Sequence, residues 1–188
     1  MEFTLGKGMF LNYIFNYINS DRSNTLFGDK FSMEEQKDYS LKEEIIRKIA
    51  SLYFLGYIPK FPGTLASLFG LLVAIITKTN TLIYFTVLTM SITLGFLVSG
   101  RVEGILNKKD PREVVIDEFC GMLLSLFLIK TTLFYIGWGF IFFRVCDIIK
   151  PYPIREAEKL KGSAGIMLDD ILSGIYTNLI LRLLEIVH

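Results

Sequence analysis

Residues 79–100 contain no charged side chain. Twenty-two residues of α-helix extend about 33 Å, enough to cross a hydrocarbon core of about 30 Å. A second uncharged run, 61–77, precedes it, and Lys78-Thr79-Asn80 marks the turn between them. A hairpin of this kind belongs in a bilayer or in the buried centre of a soluble helical enzyme. The composition favours the bilayer: 52% of residues are apolar and only 21% charged, with a mean hydropathy of +0.46, high for a soluble domain.

The remaining pattern is also helical. Ser40-Leu41-Lys42-Glu43 fits a capping box and predicts a helix to about Leu55, with Ile45, Ile46, Ile49 and Leu52 on one face. Asp110-Pro111-Arg112-Glu113 predicts a helix start with Asp110 as cap and a run to about Ile129. On that reading Asp117 and Glu118 lie past the first turn. An uncharged run over 131–143 ends at Arg144, Lys150-Pro151-Tyr152-Pro153 breaks the helix, and a last helix is expected from about Ile166 to Val187. The expected fold is all-α: a membrane-embedded bundle of four to five apolar helices with an interfacial N-terminal region. Residues 1–40 form an N-terminal extension, in which Phe10, Ile14, Tyr17 and Ile18 recur at helical spacing before a polar linker. Asn and Tyr interrupt the apolar core of residues 1–20 and no small-residue cleavage site follows, so no signal peptide is expected. Residues 41–188 are expected to form one helical domain.

With spans near 64–78, 81–100, 116–130, 132–146 and 168–187, 17 of the 20 Lys and Arg residues fall on one side. The positive-inside rule makes that side cytoplasmic. The segments around Asp117-Glu118, Asp147 and Asp169-Asp170 share it, so five carboxylates are expected to converge at the cytoplasmic surface of the inner membrane.

Residue counts exclude several chemistries. The single histidine is the last residue, His188, which leaves no histidine base and no His-rich zinc site. Cys120 and Cys146 lie in apolar stretches and read as buried thiols. A net charge of +1 offers no field for nucleic acid. Carboxylates without histidine suit a hard cation, Mg²⁺ by default for phosphate chemistry. Asp117, Glu118, Asp147, Asp169 and Asp170 are the candidate ligands. Arg144, Lys150 and Arg155 are candidate phosphate contacts, and Gly63-Thr64 presents backbone amides and a hydroxyl at a helix start. Each has a plainer reading: Asp169 as a partner of the helix dipole, Arg144 and Asp147 as a structural ion pair.

Four motifs carry a resemblance. They are Phe61-Pro62-Gly63-Thr64-x-x-Ser67-Leu68, Asp110-Pro111-x-x-Val114-Val115-x-Asp117-Glu118-x-x-Gly121, Phe143-Arg144-x-x-Asp147-x-x-Lys150-Pro151-x-Pro153 and Gly165-Ile166-Met167-x-Asp169-Asp170-x-x-x-Gly174. In this order, over about residues 50–188, the set resembles the phosphatidylglycerophosphatase A family. The resemblance implies a Mg²⁺-dependent membrane phosphatase that converts phosphatidylglycerophosphate to phosphatidylglycerol and phosphate. It implies Asp117, Asp147, Asp169 and Asp170 as catalytic residues, and Thr64, Ser67, Arg144, Lys150 and Arg155 around the phospholipid substrate. Ala66 and Ser163 stand where the family often has glycine. Attack by water and attack by Asp147 or Asp169, through an aspartyl-phosphate, both remain open. The rival class is a non-enzymatic membrane protein with an acidic cation site, such as a cation transporter. Its acids would sit at mid-span, whereas these fall at span edges.

Overall fold

The computed structural model describes residues 40–130 and 132–187. The amphipathic helix and linker expected over 1–39 lie outside the described residues. Among the described residues there are seven α-helices and no strand: α1 (Leu41–Ala50), α2 (Pro62–Thr77), α3 (Thr81–Leu106), α4 (Ile116–Leu126), α5 (Leu133–Ile149), α6 (Ile154–Ala157) and α7 (Ser163–Val187). A 3-10 turn, Leu55–Tyr57, links α1 to α2.

The α1 capping box is present: Glu43 N–H donates to Ser40 Oγ, and Ser40 N–H donates to the Glu43 carboxylate. The helix ends at Ala50 rather than near Leu55, because Leu52 and Tyr53 turn the chain with φ of 47° and 70°.

The short helix α4 is the centre of the fold. Nine of its eleven residues are buried, including Phe119, Met122, Leu123 and Leu126, as expected of a helix apolar on nearly every side. It packs against α2, α3, α5 and α7, while α7 also packs against α3, α5 and α6. Two glycines permit the α4–α7 crossing. A Cβ on Gly174 would lie 2.5 Å from the Gly121 carbonyl oxygen, and one on Gly121 would lie 2.6 Å from the Asp170 carbonyl oxygen. The two backbones therefore touch one turn beyond the acids of each helix.

The helix expected from Asp110 begins instead at Ile116. Asp110 has φ 48°, and the Val115 N–H donates to the Ala50 carbonyl at 3.0 Å. This bond to the end of α1 holds residues 110–115 in a loop. Gly56 backs the same loop, since a Cβ there would stand 2.0 Å from the Glu113 carbonyl oxygen. Asp117 and Glu118 consequently occupy the first turn of α4, where a carboxylate also meets the positive end of the helix dipole.

Among the described residues only α3 is long and apolar enough to cross a membrane. Helices α2, α4 and α5 have 16, 11 and 17 residues, or about 24, 17 and 26 Å of helix, less than a bilayer core. The 25 residues of α7 include Asp169, Asp170, Arg182 and Glu185. Four to five full spans are therefore not found. The outer faces of α2, α3, α5 and α7 nevertheless expose large apolar side chains, among them Ile76, Leu82, Ile148 and Leu183.

Candidate active site

Three residues that precede proline are in the left-handed region: Phe61 (φ 55°), Asp110 (φ 48°) and Lys150 (φ 48°). Sterics at an X-Pro bond favour an extended conformation, and all three depart from it. A left-handed non-glycine residue stores about 1–3 kcal/mol and persists where its surroundings over-determine it. At Lys150 the surroundings are visible. Its N–H caps α5 by donating to Cys146 O at 2.8 Å. Its ammonium reaches Asp169 Oδ2 at 2.7 Å and Glu158 Oε1 at 3.0 Å.

These turns border one polar cavity of about 220 Å³, lined by Pro62, residues 110–112, Val114, Asp117, Glu118, Asp147, Lys150, Asp169 and Asp170. All five expected carboxylates line it. One oxygen from each of Asp117, Glu118 and Asp170 lies within 4.8 Å of the others. Asp117 Oδ1, Glu118 Oε2, Asp169 Oδ1 and Asp170 Oδ1 are buried without a hydrogen-bond partner. A desolvated anionic oxygen with no donor costs several kcal/mol, and like charges this close are relieved by a bound cation or by protonation. The donor set is all oxygen, which fits Mg²⁺ and gives zinc no nitrogen or sulfur. Asp117, Glu118 and Asp170 are the residues that would hold such an ion.

The other two acids are engaged by cations. Arg144 Nη1 lies 2.8 Å from Asp147 Oδ2, so these residues share a face of α5 as their spacing predicts. The same nitrogen donates to Ser67 Oγ at 3.4 Å, while the Ser67 hydroxyl donates to Gly63 O at 2.9 Å. Ser67 thus anchors Arg144 from α2. Burial alone would lower the Lys150 pKa, but contact with Asp169 and then Glu158 outweighs it and holds the ammonium above the ordinary lysine value. Burial raises the carboxyl of Asp110, partly offset by Lys150.

Thr64, Ser67, Arg144 and Arg155 are not among the cavity-lining residues; Arg144 meets the cavity through its contact with Asp147, Ser67 through Arg144, and Arg155 is exposed on α6. The start of α2 faces a carboxylate of its own chain: a Cβ on Gly63 would lie 2.0 Å from Glu118 Oε1. Glycine at 63 leaves room for that side chain. Sequence reasoning missed Asp110 and Glu158 as members of the site. Asp110 had a signal in the recurring X-Pro step shared with Phe61 and Lys150; Glu158, at the end of a four-residue helix, had none. The two departures from the family pattern fit locally: Ala66 is fully buried, and Ser163 Oγ accepts from the Gly100 N–H at 2.8 Å.

The comparisons with known proteins agree with this geometry. The family model described as phosphatidylglycerophosphatase A matches residues 48–185, which include every cavity residue. Phosphatidylglycerophosphatase A of Escherichia coli (strain K12) is 32% identical over 123 residues, covering 64% of this chain and 72% of the relative. Phosphatidylglycerophosphatase A of Haemophilus influenzae is 34% identical over 125 residues, covering 64% and 77%. A Bacteroides thetaiotaomicron protein with the provisional name phosphatidylinositol-3-phosphatase is 30% identical over 131 residues, covering 65% and 82%. No solved structure matches. A family match across most of the chain, centred on a buried carboxylate site, shows that the chain belongs to the phosphatidylglycerophosphatase A family of phosphatases.

Proposed function

We propose that this enzyme hydrolyses phosphatidylglycerophosphate to phosphatidylglycerol and phosphate, with Mg²⁺ as cofactor, at the cytoplasmic face of the inner membrane. The observation that carries the reading is the set of four orphaned carboxylate oxygens around one cavity, with Arg144 and Lys150 tied to acids of the same wall. When bound, the ion supplies positive charge that polarises the phosphoryl group.

The chain's own groups do the rest. Arg144, fixed by Asp147 and Ser67, offers the remaining donors of a planar fork to phosphate oxygens. Lys150 adds a point charge beside Asp169. In phosphoryl transfer, charge spreads over the three equatorial oxygens, and preorganised cations stabilise it without reorganising at the moment of reaction. The buried walls built by α4 and α7 keep the local dielectric low, which strengthens each of these contacts.

Membrane association is supported by α3 and by the apolar outer faces of the bundle. A lipid phosphate lies at headgroup depth, where such a site meets it. The test is release of inorganic phosphate from phosphatidylglycerophosphate in mixed micelles, with Mg²⁺ and with EDTA. Phosphatidylinositol 3-phosphate and soluble glycerol phosphate serve as competing substrates. Release that needs Mg²⁺ and is greatest with phosphatidylglycerophosphate is expected. Full activity after exhaustive chelation would remove the metal from the reading, and preference for either competitor would remove the substrate.

A further inference from the structure

Lys150 is held twice. Its ammonium lies 2.7 Å from Asp169 Oδ2 and 3.0 Å from Glu158 Oε1. The two anchors differ. The Asp169 side chain is 10% exposed and borders the carboxylate cluster, with its other oxygen orphaned. The Glu158 side chain is 41% exposed and approaches from the end of α6. An ammonium against Asp169 and a divalent cation among Asp117, Glu118 and Asp170 are two positive charges in one small, poorly solvated space, so each weakens the other. A lysine bound only to Asp169 would therefore compete with the ion. A second carboxylate on the outer side gives the flexible lysine stem another resting place.

We propose that Glu158 is a positioning residue that draws Lys150 away from Asp169 and so sets the affinity of the site for its divalent cation. This rests on the metal reading above. In the metal-free enzyme Lys150 neutralises Asp169 as an internal counter-ion. When the cation enters, the ammonium shifts its weight to Glu158, staying close enough to meet a substrate phosphate.

The test measures Mn²⁺ binding by electron paramagnetic resonance of the free ion, on the purified full-length chain in detergent. No turnover is needed. Lys150→Met removes the competing charge and should tighten Mn²⁺ binding. Glu158→Gln removes the outer anchor, lets the ammonium settle on Asp169, and should weaken binding about tenfold, the lower end of what lost outer partners of metal ligands cost. The double variant decides between positioning and simple loss of negative charge. If Glu158 acts through Lys150, Glu158→Gln has no further effect once Lys150 is Met. Glu158→Asp should restore most of the affinity in the Lys150 background. The inference is overturned if Glu158→Gln leaves Mn²⁺ binding unchanged, or weakens it equally in both backgrounds. If the unmodified enzyme binds no Mn²⁺, this inference and the metal reading both fall.

Discussion

Substituting Gly174 by alanine isolates the α4–α7 crossing from the chemistry it positions. The added Cβ would sit 2.5 Å from the Gly121 carbonyl oxygen and 3.2 Å from the Gly121 Cα, against 3.4 Å where ordinary van der Waals contact begins. Helices α4 and α7 must then part by about 0.9 Å at that point. Gly174 follows Asp170 by one turn, and Gly121 follows Asp117 by one turn, a distance of about 6 Å along each axis. Most of the displacement therefore reaches the carboxylates. Overpacking costs about 1–3 kcal/mol, and the better helix propensity of alanine returns about 1 kcal/mol. The net loss of stability is small. The effect on turnover is not, because a misplacement of about 1 Å costs on the order of 100-fold. Phosphate release and thermal unfolding, measured on the same detergent preparation, should show kcat reduced 10- to 100-fold with a Tm only a few degrees lower. Gly137→Ala on α5 is the control, since its Cβ would meet nothing within 4 Å; it should match the unmodified enzyme in turnover. Gly174→Ala with kcat within twofold of the unmodified enzyme would refute the claim that this crossing sets the site.

Asp117→Asn and Asp170→Asn should each lower turnover by orders of magnitude while raising the Tm of the metal-free protein, because each removes a charge from a buried like-charge cluster; near-normal turnover in both would make the cluster structural. Arg144→Lys should lower kcat/KM at least tenfold despite keeping the charge, since an ammonium cannot grip Asp147 and Ser67 while offering a planar fork to phosphate; steady-state kinetics that match arginine would show that charge alone suffices. Asn178→Ala should act on stability. Its side-chain amide donates to the carbonyls of Leu124, Ser125 and Phe127 at the end of α4, so its loss should cost about 1–3 kcal/mol and appear as a lower Tm with KM retained.

The helical character of the chain, the start of α1, the break at Lys150 and the set of acids that gather at one cavity were all legible in the residue order. Each depends on neighbours a few positions apart: a Ser40–Glu43 box, a proline that cannot donate, a near-absence of histidine that leaves only acids. The four motifs were legible as a set, and so was the family. The shape of the site was not. Residues 110–115 carry a good helix-start signal, yet they form a loop because the Val115 N–H finds Ala50 O, 65 residues earlier. Lys150 precedes proline and should be extended, yet capping α5 and reaching Asp169 and Glu158 hold it left-handed. Thr64, Ser67, Arg144 and Arg155 carry suitable chemistry but stand outside the cavity lining, while Asp110 lines it and Glu158 reaches Lys150 through a contact with no local signature. Local pattern reports which hydrogen bonds and faces a segment can offer. Which of them meet depends on where two helix backbones touch, and here Gly121 against Gly174 brings the acids of α4 and α7 to one cavity.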